Sequence, residues 1–185
     1  MQKGRYSKYI RPIIIFIDLL VINLLVLVCL RSAMSNIGYH LILSTFWLIV
    51  AYYIGFYEVY RTTKETTIFT KLLKQFLFIS LITFAYVGFK YKFVTTKEIF
   101  TYILVSFVLV GFFKFLVFFL LKKYRVHYRG NIRSVIIIGS KQNTSELVKY
   151  FTQNTYLGYV IVKQFDVKKD KALTMHNIFE FISEK

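Results

Sequence analysis

Four long apolar runs, broken by short polar stretches, fill the chain as far as Leu121. Pro12 to Leu30 is 19 residues, His40 to Tyr57 and Leu72 to Phe89 are 18 each, and Ile99 to Leu121 is 23. A helix rises ~1.5 Å per residue, so runs of this length reach across a hydrocarbon core of ~30 Å. Pro12 is expected at the start of the first helix, where its missing N–H costs nothing. Tyr52, Tyr53, Tyr57, Tyr60, Tyr86, Tyr91 and Tyr124 fall at or near run ends, as an interfacial aromatic belt requires. Between the second and third runs, Ile68, Phe69, Leu72, Leu73 and Phe76 recur at helical spacing, with Lys71, Lys74 and Gln75 opposite. Two readings fit this stretch: an interfacial helix on anionic headgroups, or an early start to the third span with snorkelling lysines.

From Arg129 onward the pattern changes. "SVIIIG", Ser134 to Gly139, is a continuous apolar run closed by a turn residue, which predicts a fully buried parallel strand. Asn143 followed by Glu146 resembles a capping box, and Leu147, Val148 and Phe151 supply the apolar face of a helix. "LGYVIVKQFD" predicts a second strand ending in Asp166, and Asn177 with Glu180 opens a second helix. The expected fold class is therefore membrane α-helical: four transmembrane helices, then an incomplete Rossmann-like α/β unit of order β-α-β-α. The expected domains are 1–126 for the membrane part and 127–185 for the cytoplasmic part.

Composition supports this division. The chain is 56% hydrophobic, above the ~45–50% usual for soluble domains, and the excess sits in the four runs. The net charge of +16 would suit nucleic acid if it formed a patch, but most of it flanks apolar runs. There it sets topology and meets anionic lipid, so the expected partner is a bilayer with anionic headgroups and no nucleic acid. The N-terminus, the loop after span two and the segment after span four carry thirteen positives: Lys3, Arg5, Lys8, Arg11; Arg61, Lys64, Lys71, Lys74; and Lys122, Lys123, Arg125, Arg129, Arg133. The opposite loops carry four: Arg31, Lys90, Lys92 and Lys97. The positive-inside rule then places both termini in the cytoplasm. Cys29 is the single cysteine, which excludes an intrachain disulfide or a multi-cysteine metal site. The first run lacks a small-x-small cleavage site and reads as an anchor, and Val28 before Cys29 argues against a lipidated cysteine.

Candidate chemistry is sparse. Asp18 and Lys114 lie inside spans one and four, where an ionisable side chain costs on the order of 2.5–3.5 kcal/mol at mid-helix. Asp18 is seven residues from Arg11 and Lys114 eight from Lys122, so both are expected roughly 10–12 Å from the cytoplasmic boundary. Equal depth fits a structural ion pair closing the bundle; it fits equally a snorkelling Lys114 and a hydrated Asp18. In the soluble part, a phosphate-binding turn would read G-x-G-x-x-G, with backbone N–H groups at a helix N-terminus. Here the stretch is Gly139-Ser140-Lys141-Gln142-Asn143-Thr144, so Gly139 alone stands as a candidate cofactor-binding residue. Asp166 follows it by 27 residues, past the usual ~20 for a ribose-binding acid. Neither catalytic nor metal-ligating residues emerge. Two short strands and two helices hardly make a stable core. The expectation is that the chain is the front part of something longer, or that self-association or a catalytic partner completes the sheet. "YVIVKQF" on an open edge would be an aggregation hazard.

The segments "YSKYIRPIIIFIDLLVINL", "YYIGFYEVYR", "KLLKQFLFISLITF" and "RGNIRSVIIIGS…NTSELVKYF…LGYVIVKQFD" carry a resemblance. Together they resemble the N-terminal portion of bacterial polyprenyl-phosphate glycosylphosphotransferases, the initiating sugar transferases of exopolysaccharide and O-antigen synthesis. The resemblance implies four spans in the bacterial inner membrane, a cytoplasmic Rossmann-like domain, and then a catalytic domain with a re-entrant helix. It also implies transfer of a sugar phosphate from a nucleotide sugar to undecaprenyl phosphate, with Mg²⁺ and an acidic pair. That catalytic domain is expected beyond Lys185, so no catalytic residue or cofactor carries over and this chain alone is expected to be inactive. Asp18 matches an aspartate of the family's first span, read as structural. Gly139-Ser140-Lys141-Gln142 is poorer in glycine than the family's usual turn. Two other readings share the same front end: a membrane-bound nucleotide-sugar dehydratase or epimerase, and a free-standing membrane interaction protein.

Overall fold

The computed structural model describes residues 7–30, 37–90, 94–128 and 132–166. Four long helices come first: α1 Ser7–Cys29, α2 Ile37–Ile54, α3 Glu65–Lys90 and α4 Thr96–His127. All four are long and apolar enough to cross a membrane. β1 Arg133–Ile138, α5 Lys141–Gln153, a 3₁₀ turn Thr155–Leu157 and β2 Tyr159–Phe165 follow. The chain divides into two compact units, Met1–Phe119 and Leu120–Lys185.

In the first unit, one side of each helix meets a shared core. Val21, Ile22 and Val26 of α1 enter it with Leu43 and Trp47 of α2, Leu72, Phe76 and Ile79 of α3, and Tyr102 and Val110 of α4. The buried positions of α4 recur every three or four residues: Ile99, Tyr102, Ser106, Val110, Lys114 and Phe118. That spacing is one stripe of a 3.6-residue helix. The opposite faces, with Phe16, Leu20, Leu41, Leu77, Leu104 and Phe112, remain exposed and apolar. A polar exterior would be needed in water; an apolar one suits lipid.

Several boundaries differ from the sequence reading. α3 is a single helix from Glu65, so the stretch after span two is an early start and not a separate interfacial helix. Ile68, Leu72 and Phe76 are buried, which is why the helix extends there. Pro12 lies inside α1 as its sixth residue, not at its start. The helix gains a turn before it and forgoes one backbone hydrogen bond. In the aromatic belt, Tyr52, Tyr53, Tyr60 and Tyr124 are exposed, whereas Tyr57 and Tyr86 turn inward. Tyr86 stacks on the buried Tyr39 at 5.0 Å. Tyr91 lies outside the described residues.

The second unit holds a two-stranded sheet in which β1 and β2 run parallel. The register runs Arg133↔Tyr159 to Val135↔Ile161 and resumes at Ile136↔Lys163, so Val162 is an extra residue, a bulge in β2. β1 is not fully buried as expected: only Ile137 is, and Ile138 is half exposed. Among the described residues, one helix against two strands supplies too little cover for both faces. α5 begins at Lys141 with Ser140 as N-cap, so Asn143 and Glu146 are interior helical residues and the predicted capping box does not form. The Ser140 carbonyl instead accepts from both the N–H and the hydroxyl of Thr144, at 3.1 and 3.0 Å. Phe151 of α5 packs on Tyr159 at 5.1 Å. The 3₁₀ turn is held by Tyr156, whose carbonyl accepts from Arg125 at 3.4 Å and whose ring lies 4.2 Å below Lys122. The helix expected from Asn177 lies outside the described residues.

Candidate functional site

α2 ends in a tight reversal. Gly55 sits in the left-handed region, φ +64°, and Phe56 N–H returns to the Ala51 carbonyl at 2.8 Å. This closure turns the chain back on the helix instead of away from it. Phe56 is thereby fully buried, edge-on to Trp47 at 5.7 Å. Tyr57 follows it inward, its hydroxyl accepting from Trp47 Nε1 at 2.8 Å.

Around this reversal the other three helices place their polar side chains. Lys114 of α4 is 6% exposed, its ammonium 2.8 Å from the Phe56 ring centroid and 4.8 Å from that of Tyr57. Asp18 of α1 is 1% exposed, with the Tyr57 hydroxyl within hydrogen-bonding reach and the Lys114 charge near enough to act on it. Lys71 of α3 donates to the carbonyls of Gly55 and Glu58 at 2.7 and 3.0 Å. Gln75, one turn further along α3, donates to the Trp47 carbonyl at 3.0 Å.

The sequence reading singled out Asp18 and Lys114, and the structure brings both into the interior of the first unit. They do not meet through a hydrogen bond: Asp18 Oδ2 and Lys114 Nζ each lack a hydrogen-bond partner. The ammonium faces aromatic rings instead, a cation–π contact of the kind worth ~2 kcal/mol or more when desolvated. Phe56, Tyr57, Trp47, Lys71 and Gln75 escaped the sequence reading as site residues. The available signal was a lysine and a glutamine four apart on α3, a helical face pointing into the bundle.

A second polar group joins α1 to α2. Asn23 donates to Ser44 at 2.9 Å and to the Leu19 carbonyl at 2.8 Å, and its amide oxygen lies 2.8 Å from His40 Nδ1. Tyr102 of α4 donates to the Ile22 carbonyl at 3.3 Å. These contacts fix α1 against α2 and α4 through hydrogen bonds.

In the second unit, Gly139 ends β1, its N–H donating to the Phe165 carbonyl at 3.0 Å. A Cβ on Gly139 would lie 2.8 Å from Thr144 Cγ2. Thr144 in turn accepts a short hydrogen bond from Gln164 of β2. The space left by the absent side chain is thus filled by the first turn of α5. Lys141, Gln142 and Asn143 are exposed. Lys141 also borders an open groove along the flank of α5 with Ser145, Lys149 and Gln164. Asp166 follows directly on β2. Among the described residues, no three His, Cys, Asp or Glu side chains converge as a metal site would require.

Four helices long and apolar enough to cross a membrane, followed by a small unit with a two-stranded parallel sheet, define the class of architecture. Residues 52–178 match a family model described as a CoA-binding domain, and the chain belongs to that family. The domain is found in sugar transferase-related proteins. The match begins at the end of α2 and takes in α3, α4 and the described α/β elements. No curated protein matches the chain, and no solved structure does. The family description names coenzyme A, whose pyrophosphate calls for a glycine-rich turn with backbone N–H groups open to it. The turn here does not fit that group: its one glycine is packed against Thr144, and side chains occupy the next positions.

Proposed function

We propose that the chain serves as the membrane-anchoring and regulatory portion of an initiating sugar-phosphate transferase of exopolysaccharide or O-antigen synthesis. In this reading the chemistry moves a sugar phosphate from a nucleotide sugar to undecaprenyl phosphate in the bacterial inner membrane, with both termini cytoplasmic. The observation that carries it is the match of residues 52–178 to a domain found in sugar transferase-related proteins, on a chain with four membrane-length helices. The part played by the described residues is positional. The helices hold the chain at the bilayer where a polyprenyl phosphate resides, and the α/β unit offers an open sheet to a catalytic domain or subunit. The basic residues Lys122, Lys123 and Arg125 at the end of α4 suit the anionic cytoplasmic leaflet.

Residues 1–185 expressed in bacterial membranes and supplied with nucleotide sugars and undecaprenyl phosphate are expected to give no lipid-linked sugar above a vector control. The same membranes are expected to retain a co-expressed transferase catalytic domain on affinity capture. Turnover by residues 1–185 alone would overturn the anchoring role, and failure to retain any such catalytic domain would overturn the assignment to transferases.

A further inference from the structure

Four side chains, one from each of the four helices and three of them ionisable, converge on one short turn. Lys71 holds its backbone at both ends through the Gly55 and Glu58 carbonyls. Trp47 holds the Tyr57 hydroxyl, Asp18 faces that hydroxyl, and Lys114 lies against the rings of Phe56 and Tyr57. An ionisable group inside an apolar bundle is costly, and a helix anchor needs none. Here Asp18 and Lys114 each leave a buried polar atom without a hydrogen bond, so they act on each other through charge alone and not as a hydrogen-bonded pair. What both groups do touch is the turn between α2 and α3.

We propose that residues 55–58 form a strap drawn into the end of the helix bundle and held closed by the Lys114 ammonium. Phe56 and Tyr57 are its plug and Asp18 the counter-charge that keeps the ammonium in place. All of its tethers other than apolar packing are charges or single hydrogen bonds, so it opens without unfolding a helix. Opening exposes Asp18 and Lys114 at the same end of the bundle and frees the C-terminal carbonyls of α2. The backbone favours this role: Gly55 supplies the left-handed residue that turns the chain inward, and its φ of +64° strains any other side chain.

Trp47 is the single tryptophan of the chain and lies under the strap, so its fluorescence reads the strap directly. The full chain is placed in lipid nanodiscs, and acrylamide quenching of Trp47 is compared for wild type, Lys114→Met and the double variant Asp18→Asn/Lys114→Met. Both variants leave Trp47, Phe56 and Tyr57 in place. Losing a desolvated cation–π contact shifts the open-to-closed ratio by about 30-fold, and quenching is expected to rise in both variants at unchanged helical circular dichroism. If the charges were merely tolerated, the double variant, which carries neither, would be as protected as wild type or more so. Wild-type protection in the double variant overturns the strap. Should Lys114→Met alone fail to fold, the double variant still decides the matter, because it leaves no lone buried charge behind.

Discussion

At Gly139 the reason for a glycine is a neighbour, not a ligand. A methyl group there meets Thr144 Cγ2 at 2.8 Å, below any ordinary carbon contact. Gly139→Ala is therefore expected to lower the stability of the α/β unit by about 1–3 kcal/mol, the usual range for overpacking. Thr144→Ser removes the offending methyl and keeps the hydroxyl that Gln164 and the Ser140 carbonyl use, so the double variant should recover most of the loss in a urea titration. Failure of that rescue would mean the glycine is needed for another reason. The sequence showed a glycine after an apolar strand, which is the pattern of a phosphate turn as much as of a packed joint. Only the position of Thr144, one helical turn later, tells the two apart. Asp18 and Lys114 were legible for the opposite reason: a charge in an apolar run stands out at once, although its partner does not. Phe56 and Tyr57 were invisible as site residues because aromatic residues at a run end look like any interfacial belt.

Among elements, the four helices were the most legible, since eighteen or more apolar residues in a row admit few other readings. Their ends were less so, because ends are decided by tertiary contacts. α3 starts at Glu65 since Ile68 and Leu72 find the core, and α5 starts at Lys141 since the Thr144 backbone and hydroxyl close its first turn. Apart from the depth-matched Asp18 and Lys114 of spans one and four, the pairing of helices was not legible. It rests on polar side chains scattered through apolar runs, and Asn23 illustrates how. It bridges α1 to two residues of α2, Ser44 and His40. Asn23→Leu keeps the helix apolar and removes both links. The expected loss is about 1 kcal/mol, two links at roughly 0.6 kcal/mol each, in line with interhelical hydrogen bonds in membranes. Steric trapping or unfolding in mixed micelles would measure it. A larger loss would show that Asn23 supports more than these contacts.

For the whole molecule, the two units differ in what surrounds them. The first encloses an apolar core among four helices and turns apolar faces outward; in the second, the described residues form a sheet of two strands with one helix against it. Among the described residues β2 pairs only with β1, which leaves its other edge open to a further strand. An edge with the sequence "YVIVKQF" would be expected to recruit other copies. The extra residue at Val162 bears on that hazard. A bulge raises local twist and breaks the even spacing of backbone donors and acceptors along the strand, so a second straight strand cannot dock in register. Exposed Lys163 beside it adds a charge where such a strand would lie. Deleting Val162 is expected to straighten the ladder and to speed thioflavin-positive assembly of the chain after detergent dilution, relative to wild type. Equal assembly rates would show that the edge is protected by other means. One irregular residue thus separates a sheet that can await its intended neighbour from one that polymerises with its own kind.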